Sequence, residues 1–420
     1  MRFLRLVRSS LVAAGLALTS LVGCTTDTAS TEDNVVDTKN TDVERQSIGN
    51  CWLYATASWA ESLHLYATDQ EFDISQSYWT YWHWFDEIVG GYGDEIETGG
   101  SEYVAFDIIK KRGLMSEADF IPEDVNGEMS NRQATALDKI NRELKSGGRL
   151  STYTARTNKK LVRQVLDEAW GLSSDVRSQL TQAFGSGAGR TFQTNATIKG
   201  TKILRAKDFK VRYPERITNK DAPTIKDTTL AVAMTDYRTV DYPSWGSDLA
   251  AKRRQFQIRL QRAMHDGAPV IITWMVDFNA MESGSGPLRG SFNKQTLDKN
   301  GPGRQGGHMT VMEDYEVITK DYGLLAAGTT LDPANPEDAK KLEAALLPSS
   351  EIKFWRIKNS WGAFRDDRSS APGFPGYHDL YMDYMNGPIT WCPSVEGAKT
   401  SSNCRGTTDP FENIVLPPGY

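Results

Sequence analysis

"RQSIGNCWLYATASWAES", residues 45–62, decides the reading of this 420-residue chain. Ser47, Gly49 and Asn50 suit a turn and a helix entry. Leu53, Ala57, Ala60, Leu63 and Ala67 then recur at helical spacing, so the stretch predicts a helix over 51–67 with Cys51 in its first turn. At that position the helix dipole and the unbonded backbone N–H groups favour negative charge, which lowers a thiol's pKa and raises its thiolate fraction. Four roles are open to a cysteine so placed: packing, metal ligation, half of a disulfide, or nucleophile.

The start of the chain narrows these. Arg2, Arg5 and Arg8 precede an apolar stretch, 11–22, that ends in Leu21-Val22-Gly23-Cys24, the pattern of an export signal over 1–23. The stretch is too short for a permanent membrane span. Small residues followed by Cys24 resemble a bacterial lipobox, which implies cleavage, lipidation of Cys24 and a lipid anchor to a membrane of the cell envelope; a plain secretory signal is the alternative. Residues 24–43 are rich in Thr, Asp, Ser and Asn and predict a flexible tether. Three cysteines then remain in an oxidising compartment, and Cys392 and Cys404, twelve residues apart among Pro393, Gly397 and Ser401, are placed to close a loop disulfide. Cys51 is left as a lone thiol, protected by burial or used for its reactivity.

Other classes of function find little support. The net charge of -6 is mild and no lysine/arginine block is present, so nucleic acid is not an expected partner. The five histidines, at 64, 83, 265, 308 and 378, are scattered and no cysteine or histidine pair has zinc-ligand spacing, so neither a metal nor another cofactor is expected. "GSGAGR" at 185–190 lacks the Gly-Lys-Ser/Thr end of a phosphate loop and reads as a connection.

The segments on either side differ in character. "SQSYWTYWHWFDEI", 75–88, reads as a helix with Trp79, Trp82 and Phe85 on a buried face and His83 on its polar side. Residues 130–184 predict a pair of helices, with Ala134, Leu137, Ile140 and Leu144 on one stripe and Leu161, Val165, Leu166 and Trp170 on the other. Strands are expected at 268–276, 308–318 and 352–360. A helical half followed by a strand-rich half predicts an α+β fold of two lobes meeting at a cleft: 44–260 with an insertion at about 121–230, and 261–420 with an insertion at about 319–352.

A nucleophilic cysteine needs a base to hold the thiolate/imidazolium pair and a third group to fix the ring. His308 opens a strand after "GPGRQGG", and Asn359 follows the strand "FWRIK". Gln46, Gly49, Cys51 and Trp52, then Gly307-His308, then "KNSWG" at 358–362 resemble, in chain order, the motifs of papain-type cysteine peptidases, and "IETGGSEYVAFDIIKKRGLMSEADF" at 96–120 resembles that family's Gly-Gly segment. The resemblance implies a papain-like two-lobe fold with a β-barrel-like second lobe. It implies Cys51 as nucleophile, His308 as general base and then acid, Asn359 as the orienter of His308, and the Gln46 side chain with the Cys51 N–H as an oxyanion hole. Trp361 would shield the His/Asn bond, Gly99 and Gly100 would let a substrate strand approach, and Met309 would line a side-chain pocket, with a peptide or protein as substrate.

Departures from the family pattern are specific. Ile48 stands where a disulfide cysteine is common, Asn50 where serine or alanine is usual, and only 27 residues separate Cys24 from Cys51, which leaves no room for a folded inhibitory propeptide. His308 lies 257 residues after Cys51, against roughly 130 to 150 in simple members. "HMT" at 308–310 and "WRIKNSWG" at 355–362, with helical insertions, are similar to the bleomycin-hydrolase-like branch, whose members are typically intracellular aminopeptidases; for an exported chain endopeptidase and aminopeptidase activity both stay open. Two further functions stay open: an inactive lipoprotein that binds extended peptides or an envelope partner, and acyl transfer to an amine.

Overall fold

The apolar spacing after Cys51 does form one helix, and it becomes the centre of the molecule. The computed structural model describes residues 41–91, 93–125, 127, 129–218, 222–329, 331–363, 369–392, 404 and 406–420. The proposed signal, Cys24 and the tether up to residue 40 lie outside the described residues.

In the first half the helices are α1 (Cys51–Thr68), α2 (Gln76–Gly90), α3 (Glu102–Arg112), α4 (Glu117–Phe120), α5 (Asn131–Leu144), α6 (Tyr153–Thr157), α7 (Lys159–Ala169) and α8 (Ser174–Phe184). Then follow β1 (Lys210–Glu215), β2 (Thr224–Thr229), α9 (Leu230–Asp236), β3 (Arg238–Asp241), α10 (Leu249–His265), β4 (Ile271–Asp277), α11 (Lys294–Asn300), β5 (Gln305–Thr319), β6 (Gly323–Leu325) and α12 (Pro336–Ala345). The chain ends with β7 (Glu351–Lys358), β8 (Tyr377–Tyr381), α13 (Met382–Met385), β9 (Ile389–Thr390), β10 (Thr407–Thr408) and β11 (Phe411–Leu416). The fold is α+β, with a helical half and a strand-rich half as expected. Among the described residues no helix is long and apolar enough to cross a membrane.

Seven strands make one antiparallel sheet in the order β3-β11-β4-β5-β7-β8, with β6 paired to β5. Because side chains alternate across a strand, this sheet is a wall between two cores. Ile271, Met309, Val311 and Val415 join the core built around α1, α2 and the inserted helices. Ile272, Trp274, Met312 and Ile414 join a second core with α10. Helix α1 lies against β5, and every side chain from Cys51 to Leu63 is buried, so the helix carries no exposed face over that length.

Four expectations change. Helix α2 is buried on most of its circumference, since Tyr78, Tyr81 and Trp84 are as enclosed as Trp79, Trp82 and Phe85; the inserted helices cover the face expected to be exposed, and Arg112 lies 4.1 Å over the Trp82 ring. Residues 130–184 form four helices, and the inward stripe of α5 is Gln133, Ala136, Ile140 and Leu144, with Ala134 and Leu137 only partly buried. The boundary drawn between 260 and 261 falls inside α10, whose Phe256, Leu260 and Ala263 all pack in the sheet's second core. The last tether residues are docked: the Thr41 hydroxyl donates to Glu61 at 2.7 Å, and Val43 fills the space beside Gly376.

Candidate active site

Three segments converge where α1 meets the sheet. The stretch before α1 crosses to the strand-rich half: Gln46 N donates to Ser360 O at 2.9 Å, and Arg45 bridges to Trp361. Asn50 precedes α1 without capping it, because its amide turns inward, donating to Thr80 Oγ1 and to Gln133 Oε1, both at 3.0 Å. Gln133 in turn donates to Tyr54 Oη and Ser77 Oγ. Asn50 is therefore tied to both α2 and α5. That network ties the helix start that carries Cys51 to the same two helices, and buried hydrogen bonds of this kind rigidify what they touch.

His308 sits on β5 opposite Trp274 of β4, and Asn359 follows directly on β7, which pairs with β5 on its other side. The His308 Nε2 to Asn359 Oδ1 distance is 2.7 Å. An amide oxygen only accepts, so Nε2 carries the proton and Nδ1 is the basic nitrogen of the neutral ring. Trp361 stacks on the His308 ring with centroids 4.9 Å apart and planes at 21°, and it is 5% exposed, so it covers the bond from solvent. The backbone of Met309, the residue that follows His308, lies close enough to the Cys51 thiol to act on its acidity.

The acidity of the thiol differs from expectation. Burial pushes the Cys51 pKa up, and the backbone N–H groups of Met309, Trp52 and Cys51 itself pull it down less strongly. The helix start therefore does not make a thiolate unaided, because the desolvation cost outweighs it. Ionisation of this thiol calls for a proton acceptor.

The remaining expected residues divide. The Gln46 side chain is at the junction, but its Nε2 donates to Ile48 O at 2.7 Å while its Oε1 accepts from Ser360 Oγ at 2.6 Å. Gly99 and Gly100 are both exposed, yet only Gly99 faces open space; a Cβ on Gly100 would lie 2.5 Å from the Trp52 ring. Met309 is 3% exposed and belongs to the core around α1, where it lines a water-sized void of about 10 Å³ with Tyr54, Ser58 and Lys358. Cys392 and Cys404 are joined as a disulfide. Its Cys392 N–H donates to Gln305 Oε1 at 2.8 Å, at the start of the strand that carries His308. Among the described residues no cluster of histidine, cysteine, aspartate and glutamate could hold a metal ion.

The other histidines divide too. His64 bonds Lys210 O, His83 meets the Trp52 ring edge-on, and the half-buried His265 meets Tyr315 Oη, with its pKa lowered to about 3, chiefly by desolvation. His378 is different: it is 1% exposed and hydrogen-bonded to Asn359. No sequence signal marked it, because the contact exists only once β7 and β8 pair.

No family model matches the chain, and no curated protein matches it. Solved structures with a similar course include PepW from Lactobacillus rhamnosis, at 11% identity and a TM-score of 0.41, covering 91% of this chain and 80% of that one. Xylellain, a cysteine protease from Xylella fastidiosa, has 12% identity and a TM-score of 0.34 over 91% of this chain and 85% of its own. The cysteine protease and lectin-like domains of Cwp84, a surface-layer-associated protein of Clostridium difficile, have 12% identity and a TM-score of 0.31 over 90% of this chain and 48% of that one. At these identities and TM-scores the likeness carries nothing about the chemistry of the site, which rests on the chain's own residues.

Proposed function

We propose that the chain is a papain-type cysteine peptidase in which Cys51, His308 and Asn359 hydrolyse a peptide bond through an acyl-enzyme. The observation that carries this is the 2.7 Å bond from His308 Nε2 to Asn359 Oδ1, covered by Trp361, on the strand against which the helix of Cys51 packs. His308 Nδ1 takes the thiol proton as the sulfur attacks the carbonyl carbon. The imidazolium then gives that proton to the leaving amine as the C–N bond breaks. Water, deprotonated by the same nitrogen, attacks the thioester and releases the acid and the free thiol. Because burial disfavours an isolated thiolate, the ion pair with His308 is the form in which the sulfur is nucleophilic.

Negative charge on the tetrahedral oxygen is met by the Cys51 N–H and by the second hydrogen of Gln46 Nε2, the first being held by Ile48 O. Substrate backbone lies along the exposed glycines Gly49, Gly99 and Gly307. Met309 adds little surface for a ligand while it is 3% exposed. Export and lipidation at Cys24 complete the proposal and place the activity in a bacterial cell envelope. The test is hydrolysis of a mixed peptide library together with iodoacetamide labelling of the folded chain. Wild type hydrolyses peptides and is alkylated at Cys51, whereas Cys51→Ala does neither. Undiminished hydrolysis by the Cys51→Ala protein would refute the proposal.

A further inference from the structure

The buried imidazole of His378 has no part in the chemistry above, yet it touches the residue that orients His308. His378 lies on β8 opposite Ile357 of β7, two residues before Asn359. That register places its Nδ1 3.3 Å from Asn359 Nδ2. Its ring meets Trp361 edge-on, centroids 5.3 Å apart at 76°, and packs near Phe292. Asn359 and His378 are each 1% exposed, so water does not replace either partner readily.

A carboxamide has two similar-looking ends with opposite hydrogen-bonding character, and its function here depends on which end faces His308. Oδ1 accepts from His308 at 2.7 Å and from the Ser360 N–H at 2.8 Å. The Ser360 N–H can only donate, so it accepts the oxygen end and rejects the NH2 end. Asn359 Nδ2 can only donate, so His378 Nδ1 has to be an acceptor, which makes His378 an Nε2–H imidazole. Both neighbours therefore select the same orientation from opposite sides.

We propose that His378 is a positioning residue for the peptidase reaction: its unprotonated Nδ1 holds the Asn359 amide with Oδ1 towards His308, and so keeps the basic Nδ1 of His308 available to the thiol. This rests on the peptidase reading of Cys51, His308 and Asn359. Without the acceptor the NH2 group is buried with nothing to receive it, and the amide gains reason to turn over. A turned amide would oppose two N–H donors at His308 Nε2, and the ring would lose its orientation while the substrate surface stayed intact.

Two variants and one spectrum test this. His378→Phe keeps an aromatic ring against Trp361 and removes the acceptor; His378→Asn offers an acceptor near the original Nδ1. The Phe variant is expected to lose roughly 10- to 100-fold in kcat with KM little changed, and the Asn variant to recover most of it. An unchanged kcat in the Phe variant overturns the proposal, as does an equal loss in both, which would make His378 a packing residue. In the wild-type full chain labelled with 15N-histidine, the NMR spectrum near neutral pH is expected to show His378 protonated at Nε2 only, and a proton on its Nδ1 overturns the proposal even if neither variant folds. Wild type that neither cleaves peptides nor labels at Cys51 would sink the peptidase reading separately, because the spectrum reports on His378 without any turnover.

Discussion

Gly99 and Gly100 resemble a single motif in sequence, but the structure gives them different duties, and alanine at each separates the two. A Cβ at Gly100 would lie 2.5, 2.7 and 2.8 Å from three atoms of the Trp52 indole, whereas carbon atoms in contact rest about 3.5 to 4.0 Å apart. About 1 Å of movement is thus required. Trp52 has little freedom to move: it is 1% exposed, its Nε1 donates to Thr98 O at 2.9 Å, and His83 meets its ring at 5.0 Å. Overpacking of this kind costs roughly 1 to 3 kcal/mol. A displacement of about 1 Å passed from Trp52 to the adjoining Cys51 would slow the chemistry on the order of 100-fold.

Gly99→Ala meets nothing within 4 Å, and neither glycine uses left-handed backbone, so alanine fits both backbones. By restricting the unfolded chain, Gly99→Ala is expected to be neutral or to stabilise by about 0.4 to 1 kcal/mol. Any functional effect belongs on KM, where the methyl stands in front of the exposed strip. Urea unfolding followed by tryptophan fluorescence measures the first quantity, and the iodoacetamide rate at Cys51 with steady-state peptide hydrolysis measures the second. If Gly100→Ala matched wild type in stability and labelling while Gly99→Ala did not, the argument that Gly100 exists to seat Trp52 would be wrong.

Two other outcomes follow from buried groups. Burial, with Asp73 and Asp124 nearby, pushes the Glu117 carboxyl up to about 8, so its contribution to stability is complete below the ordinary carboxylate pKa and lost as pH rises through 8. Glu117→Gln should therefore remove up to about 1.4 kcal/mol per pH unit of the decline in stability between about pH 5 and 8; parallel curves for variant and wild type in urea titrations across that range would contradict it. Trp361→Ala removes the ring that stacks on His308 and should cost about 3 to 5 kcal/mol of stability, together with a loss of kcat as water reaches the His308–Asn359 bond; a variant with full kcat would show that the cover is dispensable.

What could be read in advance was whatever depends on neighbours along the chain. The helix from Cys51, the three strands at 271–277, 305–319 and 351–358, and the order of Cys51, His308 and Asn359 all follow from periodicity and short motifs. What depends on distant partners was not legible. Gln133 sits in a polar helix, 83 residues beyond its partner Asn50, so the apolar stripe was placed one residue away. His378 gains its meaning only from the β7–β8 register. "FENIVL" at 411–416 is a short β-branched run, and nothing local says that it inserts between the edge strand β3 and β4. The thiol's acidity is illegible for a related reason: the helix start is visible in sequence, while the depth at which it is buried is a property of the assembled core.

The site is held from behind by polar contacts as well as by the apolar core. Lys358, one residue before Asn359 and 5% exposed, donates to Thr41 Oγ1 and Ser58 Oγ, while Glu61 accepts from Thr41 and from the Ile74 N–H, and Glu44 accepts from Gln76. Burial lowers the Lys358 pKa and raises those of Glu61 and Glu44, so this group gives up stability that an apolar contact would have supplied. Its return is in direction: hydrogen bonds between Ser58 of α1 and Lys358 of β7 specify one height of the helix over the sheet, where leucines would tolerate several. Cys51 lies two helical turns from Ser58 and Asn359 lies next to Lys358, so that one height also sets where the thiol stands along the strand of His308. With alignment secured there, the exposed side made by Gly49, Gly99 and Gly307 is relieved of holding the two halves together, and its backbone is left open to an extended chain.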